Sequence, residues 1–197
     1  MNSPLLAIDR LSAWAGKAAS WCIVALTAVV CYDVVARYAF NAPTQWGFDA
    51  AYMLYGTLFM MAGAYTLSRN GHVRGDVLYR FLSPRTQAAI DLALYLLFFV
   101  PGILALAWFG IGFAHDSWAM TEHSQTSASN IPLYPLKVII PIAGGLLLLQ
   151  GLAEILRCVQ CLRIGEWPQR LHDVEEVDID ELRRMMQQSE TAAGSRG

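Results

Sequence analysis

In a chain this apolar, the ionisable side chains are where chemistry would reside, and they fall into a few sets. Asp33 and Arg37 stand four residues apart, the spacing that places an acid and a base on one helix face. Asp49 follows at the start of the next apolar run and is expected to join them. Asp91 opens another such run, while Gln150, Glu154 and Arg157 share one helical face, and an Asp91–Arg157 pair between helices is the expectation there. Carboxylates placed this way suggest a cation or proton path, because charge within a membrane is costly and is kept for a reason. Each set nevertheless lies near the end of an apolar run, whereas coupling-ion sites are usually built at the midplane. Ion pairing is the sufficient account.

The remaining reactive residues assemble no recognisable centre. Four histidines raise the alternative of a haem-bearing anchor of a respiratory redox enzyme, which needs axial histidines facing one another inside the spans. His72 and His172 instead fall in polar segments, and His115 and His123 flank a loop. Cys22 and Cys31 are nine residues apart, on roughly opposite helix faces, and Cys158-x-x-Cys161 has no second pair to complete a zinc site. No nucleophile elbow, phosphate loop or metal-ligand cluster occurs. The expectation is a protein that is not an enzyme, with no catalytic, cofactor-binding or metal-binding residues and no cofactor.

The elements that hold these residues follow from composition. Of 197 residues, 55% are hydrophobic and 15% charged, and the apolar residues cluster into four runs: Trp21 to Ala36, Ala50 to Leu67, Ala88 to Ala114 and Val138 to Leu156. At about 1.5 Å per residue, each covers all or most of a hydrocarbon core about 30 Å thick. The expected fold class is therefore all-α integral membrane. A cytoplasmic segment would occupy residues 1–16, a membrane domain of four transmembrane helices residues 17–162, and a partly disordered, acidic and amphipathic tail residues 163–197. The first run, preceded by Arg10 and Lys17, fits a retained signal anchor better than a cleaved leader. The net charge of −2, with no aromatic interleaving of basic residues, argues against a nucleic-acid partner.

Twelve of the fourteen Lys and Arg residues lie in the amino-terminal segment, the loop between the second and third runs, and the tail; only Arg37 and Lys137 lie in the other two loops. Positive charge is retained on the cytoplasmic side, so both termini are expected there. Within the middle loop Val73, Val77, Leu78, Phe81 and Leu82 fall on one face, which predicts a short interfacial amphipathic helix between the second and third spans. Pro101-Gly102 predicts a bend in the third span, and Pro141 with Gly144-Gly145 predicts either a bend in the fourth or a close helix approach. Trp14, Trp46, Trp118, Tyr38, Tyr79 and Tyr134 lie near run ends, where amphipathic rings favour lipid headgroups.

Three stretches carry a family resemblance. GAYTLSRNGHVRGDVLYRFLSPR, with His72, Arg74, Asp76, Leu78 and Tyr79, combines a Gly-Ala turn, a His-hydrophobic pair and an Asp-x-Leu helix. The third loop has Ser117-Trp118, Glu122 and Ser124 before LYPLKVIIP, with Tyr134, Pro135, Lys137 and Pro141, and the fourth run ends in LLLLQGLAEILR, with Gln150, Gly151 and Glu154. Over roughly Ala36 to Arg157 this resembles the small, DctQ-like membrane subunit of tripartite ATP-independent periplasmic (TRAP) transporters, in particular the mannitol or chloroaromatic branch. Many members of that family carry a glutamate soon after the Trp before the second span, where this chain has Trp46-Gly47-Phe48-Asp49.

The resemblance implies a multi-pass protein of the bacterial inner membrane with three partners: a large DctM-like transmembrane subunit, a periplasmic substrate-binding protein and membrane lipid. In such a system the soluble protein binds an organic acid and the large subunit moves it on a sodium gradient, while the small subunit supports the large one. Asp49, His72, Arg74, Asp76, Tyr79, Trp118, Glu122, Tyr134, Lys137, Gln150 and Glu154 are then the residues expected to serve structure or partner contact. A redox-enzyme anchor and a stand-alone small transporter are the competing classes; haem absorbance and uptake by liposomes holding this chain alone separate them from the accessory subunit.

Overall fold

The computed structural model describes residues 3–69 and 81–168, and among these the regular elements are helices, joined by short loops. α1 runs Ser3–Ala39, α2 Gly47–Ser68, α3 Pro84–Ala119 and α4 Tyr134–Ile164. α1, α3 and α4 are long and apolar enough to cross a membrane. At 22 residues α2 has the length, but Tyr52, Tyr55, Thr57, Tyr65 and Thr66 interrupt its apolar run. α4 is the central element, touching each of the other three, while α1 lies chiefly on α2 and α3 chiefly on α4. The expected interfacial helix, Val73 to Leu82, falls almost wholly outside the described residues, as does the tail from residue 169 onward.

α1 starts far ahead of its apolar run. The expectation drawn from hydropathy places the first span at Trp21, but the helix is continuous from residue 3, and the boundary at residue 17 falls inside it. Asp9, Arg10, Ser12 and Lys17 keep the stretch ahead of that run polar without interrupting the helix. Asp9 and Ser12 are buried against the bundle, and Arg10 and Lys17 point away from it. Opposite faces of one helix carry incompatible polarities here, so an average over consecutive residues sees neither.

The predicted irregularity in the third span takes a specific form. Residues Tyr95–Phe99 make a π turn inside α3, and Pro101 lies just beyond it in the first turn of the α-helix that resumes at Val100. A proline ring presses on the carbonyl four residues back, here Leu97, and supplies no N–H. Widening the preceding turn to i→i+5 pairing accommodates both.

Two glycines allow the helices to meet. A Cβ on Gly144 would sit 3.4 Å from both the backbone and the side chain of Ala107, so α3 and α4 are in backbone contact there, as the Gly144-Gly145 pair led one to expect. Gly16 has the tighter neighbour: a Cβ there would overlap the Cβ of Tyr65, an atom close to the α2 backbone that cannot swing aside. Gly16→Leu is expected to push α1 and α2 apart and to cost about 1–3 kcal/mol. A fall in the thermal midpoint of the purified protein, with helical content unchanged at low temperature, would register it.

Candidate functional site

Two polar assemblies sit near opposite ends of the bundle, and Asp9 and Asp33 on α1 mark their separation at about 36 Å for an ideal helix. The first joins α1 to α4. Asp9, Ser12, Gln150, Glu154 and Arg157 are each no more than 1% exposed. The Arg157 guanidinium donates through Nη2 to Asp9 Oδ2 at 2.5 Å and through Nη1 to Glu154 Oε1. Gln150 ties the two acids together, its Nε2 donating to Asp9 Oδ1 at 2.9 Å and to Glu154 Oε1 at 3.4 Å. Its own Oε1 accepts from Ser12 Oγ at 2.9 Å.

This assembly corrects one expectation. Gln150, Glu154 and Arg157 do share a face of α4, but the cation forms its ion pairs with Asp9 and Glu154, not with Asp91. Asp91 instead lines an open groove with Leu94, Tyr95, Phe98 and Phe99 beside the π turn. The 148 residues separating Asp9 from Arg157 hide the pairing from any local spacing rule. Two acids and one base in a dry site form a lock between helices, because removing the cation would leave like charges unneutralised.

The second assembly lies at the opposite end. Arg37 Nη2 donates to Asp33 Oδ2 at 2.7 Å, the expected pair. Asp33 also accepts from the backbone N–H of Thr44 at 3.0 Å and from its hydroxyl, closing the loop between α1 and α2. Asp49 does not join that pair. It is 2% exposed in the first turn of α2, where the helix dipole favours a negative charge. There it accepts from Thr126 Oγ1 at 2.9 Å and from Ser127 Oγ at 2.5 Å. A serine- and threonine-rich stretch that reads only as loop is thus fastened to α2, and Ser129 Oγ adds a bond to the Gln45 carbonyl at 3.4 Å.

The same loop is folded on itself. Ser124 N–H donates to the Ile131 carbonyl at 2.7 Å and Leu133 N–H to the Glu122 carbonyl at 2.9 Å, with His123 bridging Pro132. Thr121 turns the chain at φ +45°, a left-handed conformation that a β-branched residue adopts only under constraint. Lys137, in the first turn of α4, pairs with Glu122 and stands 3.9 Å above the centroid of the Phe113 ring. Trp118 and Tyr134 meet edge to face with centroids 4.7 Å apart. Four of the residues singled out from the sequence, Trp118, Glu122, Tyr134 and Lys137, therefore form two pairs flanking this loop, with Asp49 holding its Thr126–Ser127 stretch.

Lys137 foremost holds the Glu122 carboxyl below the usual glutamate range. A group whose acidity increases on folding supports the folded loop fully above its unfolded pKa and loses that support as pH falls through the lowered value. The loop is therefore expected to keep its order at neutral and mildly acidic pH and to loosen only below the ordinary glutamate range. The mobility of a spin label at Ala128 would report this, and Glu122→Gln is expected to shrink the transition, leaving the part carried by the Asp49 carboxylate that accepts from Thr126 and Ser127.

His72, Arg74, Asp76 and Tyr79 lie outside the described residues. Cys158 and Cys161 are buried thiols, and Cys161 Sγ approaches the Pro84 carbonyl at 3.5 Å, so this pair packs the end of α4 against the start of α3. The expectations missed Asp9 and Ser12, whose only local signal is that they fall on the same face as the small residues Ala15, Gly16 and Ala19.

A family model described as the DctQ component of tripartite ATP-independent periplasmic transporters matches residues 26–161. No curated protein matches the chain closely enough to count as a relative. The match extends from within α1 to the last turn of α4, so it takes in the whole second assembly and the α4 half of the first.

Proposed function

The chain belongs to the DctQ family of TRAP-transporter components, and from that membership we propose that it is the scaffold on which the large membrane subunit of such a transporter is held. The single observation that carries this reading is the extent of the family match, residues 26–161. The α1–α4 lock supports it. A scaffold must keep its helices fixed while the partner's moving part travels, and an ion pair buried on both sides resists sliding of one helix past another.

In this reading α2 crosses the membrane with the other three helices, both termini face the cytoplasm, and the protein sits in the inner membrane. The segment Val73 to Leu82 lies in the cytoplasmic interface and sets the depth of the bundle. The loop of residues 120–133 faces the periplasm, where the substrate-binding protein docks, and an organic acid enters on a sodium gradient through the large subunit. Asp49, Trp118, Glu122, Tyr134 and Lys137 then act by shaping that loop, and Gln150 and Glu154 by fixing α4 to α1. The carboxylates are already committed to these bonds, which supports a scaffold over an ion pathway.

The reading is tested by co-expressing the chain with the large subunit and the soluble protein of its own transporter. Omitting this chain is expected to abolish uptake. Exchanging the segment 73–82 for a Gly/Ser linker is expected to lose co-purification of the large subunit. Uptake that persists at full rate without the chain would sink the proposal.

A further inference from the structure

The two sides of α1 near its start have opposite chemistry. Leu5, Asp9, Ser12, Ala15 and Ala19 are buried against the bundle. On the far side Arg10, Trp14, Lys17 and Trp21 follow at intervals of four, three and four, which at 100° per residue confines them to one stripe. All four are exposed, Trp14 by 71% and Trp21 by 72%. Past Trp21 the stripe continues through Val24, Ala28, Tyr32 and Val35 without a charge. Both cations are therefore confined to one end of a face that is otherwise apolar.

Their depth can be set from the other end of the helix. Measured from Asp33 at 1.5 Å per residue, Lys17 lies about 24 Å away, Trp14 about 29 Å and Arg10 about 35 Å. A hydrocarbon core about 30 Å thick ends close to Trp14, with Lys17 just inside the boundary and Arg10 just outside it. Side chains on a helix lean toward its amino terminus, so the Lys17 stem leads back to the headgroup layer. An indole at the boundary is in its preferred place.

We propose that this stripe binds the phosphate of an anionic phospholipid in the leaflet at the amino-terminal end of α1. Lys17 reaches the phosphate from the hydrocarbon side, Arg10 meets it from the aqueous side, and the Trp14 ring packs between them against the glycerol region. A lipid suits the stripe better than a protein does. Lysine is depleted from buried protein interfaces, whereas a cation just inside the hydrocarbon boundary needs a neutralising anion at the level where lipid phosphates lie.

The test uses the full-length chain in micelles doped with equal amounts of phosphatidylglycerol and phosphatidylcholine of the same acyl chains, with retained lipids counted by native mass spectrometry. The wild type is expected to retain phosphatidylglycerol preferentially, by about fivefold for each cation engaged. The preference should fall to near unity in the Arg10→Gln/Lys17→Gln variant and persist in Arg10→Lys/Lys17→Arg. Both positions face away from the packing side, so circular dichroism of the variants should match that of the wild type. Equal retention of the two lipids by the wild type, an undiminished preference in the neutral variant, or loss of preference in the charge-keeping variant would each overturn the proposal. So would a neutral variant that keeps the wild-type lipid profile but no longer co-purifies with the large subunit, since the stripe would then belong to a protein interface.

Discussion

Arg157→Met is expected to destabilise the helix bundle by about 3–5 kcal/mol, a large share of what holds a domain of this size together. Methionine fills much of the volume, so the loss is one of charge rather than of packing. Asp9 and Glu154, each 1% exposed or less, would face each other without the Arg157 guanidinium, with the Gln150 amide between them. The bundle can respond only by admitting water, by protonating the acids or by letting α1 move off α4. Glu154→Gln should behave differently. It leaves one acid for one base, keeps an oxygen that accepts from Arg157, and is expected to cost no more than about 1 kcal/mol. Yield and thermal midpoint of the purified protein measure both. Equal losses in the two variants would show that packing, not charge balance, governs the site.

Asp49→Ala is the second large effect, and it is expected in transport rather than in folding. The carboxylate is the acceptor for both Thr126 and Ser127, and without it the segment 124–129 loses its bonds to α2 and keeps the 3.4 Å bond from Ser129 to the Gln45 carbonyl just ahead of that helix. If the loop presents a surface to the soluble protein, disorder there imposes an ordering cost on every encounter. Uptake by the assembled system is expected to drop at least about tenfold at limiting binding protein, a cost of about 1.4 kcal/mol. Saturating binding protein should restore much of the rate, and co-purification with the large subunit should be unchanged. Asp49→Asn keeps one acceptor oxygen and should fall between the two. An unchanged rate at every concentration of binding protein would separate the loop from docking.

Both predictions rest on bonds that differ in how far they were legible beforehand. Asp33 and Arg37 are four residues apart on one helix, and local geometry alone pairs them. Trp118, Glu122, Tyr134 and Lys137 were singled out through the family resemblance of the stretches that flank one loop, and that resemblance does not say which of them meet. Arg157 was assigned the wrong partner. Asp91 was the nearest acid in an adjacent run, while Asp9 lay in a stretch read as a polar leader to the first span. The error has a physical source: a buried polar residue depresses local hydropathy as much as an exposed one does, so burial and exposure look alike in the sequence. Asp49 shows the converse case. Its partners are hydroxyls in a segment of Ser, Thr, Ala and Asn, a composition that signals loop wherever it occurs and says nothing about what the loop is tied to.

The π turn at Tyr95–Phe99 has a consequence for the whole of α3. One surplus residue in a single turn advances the phase of everything after it by about 100°, so the two halves of the helix obey separate wheels. Asp91 and Ala88 face inward in the first phase, and Ala107 meets Gly144 in the second. Removing one residue between 95 and 99 would restore regular α pairing yet swing Ala107 about a quarter-turn away from Gly144. The irregular turn thus acts as a phase joint, which lets a single helix satisfy two packing registers that no uniform helix of the same sequence could meet together.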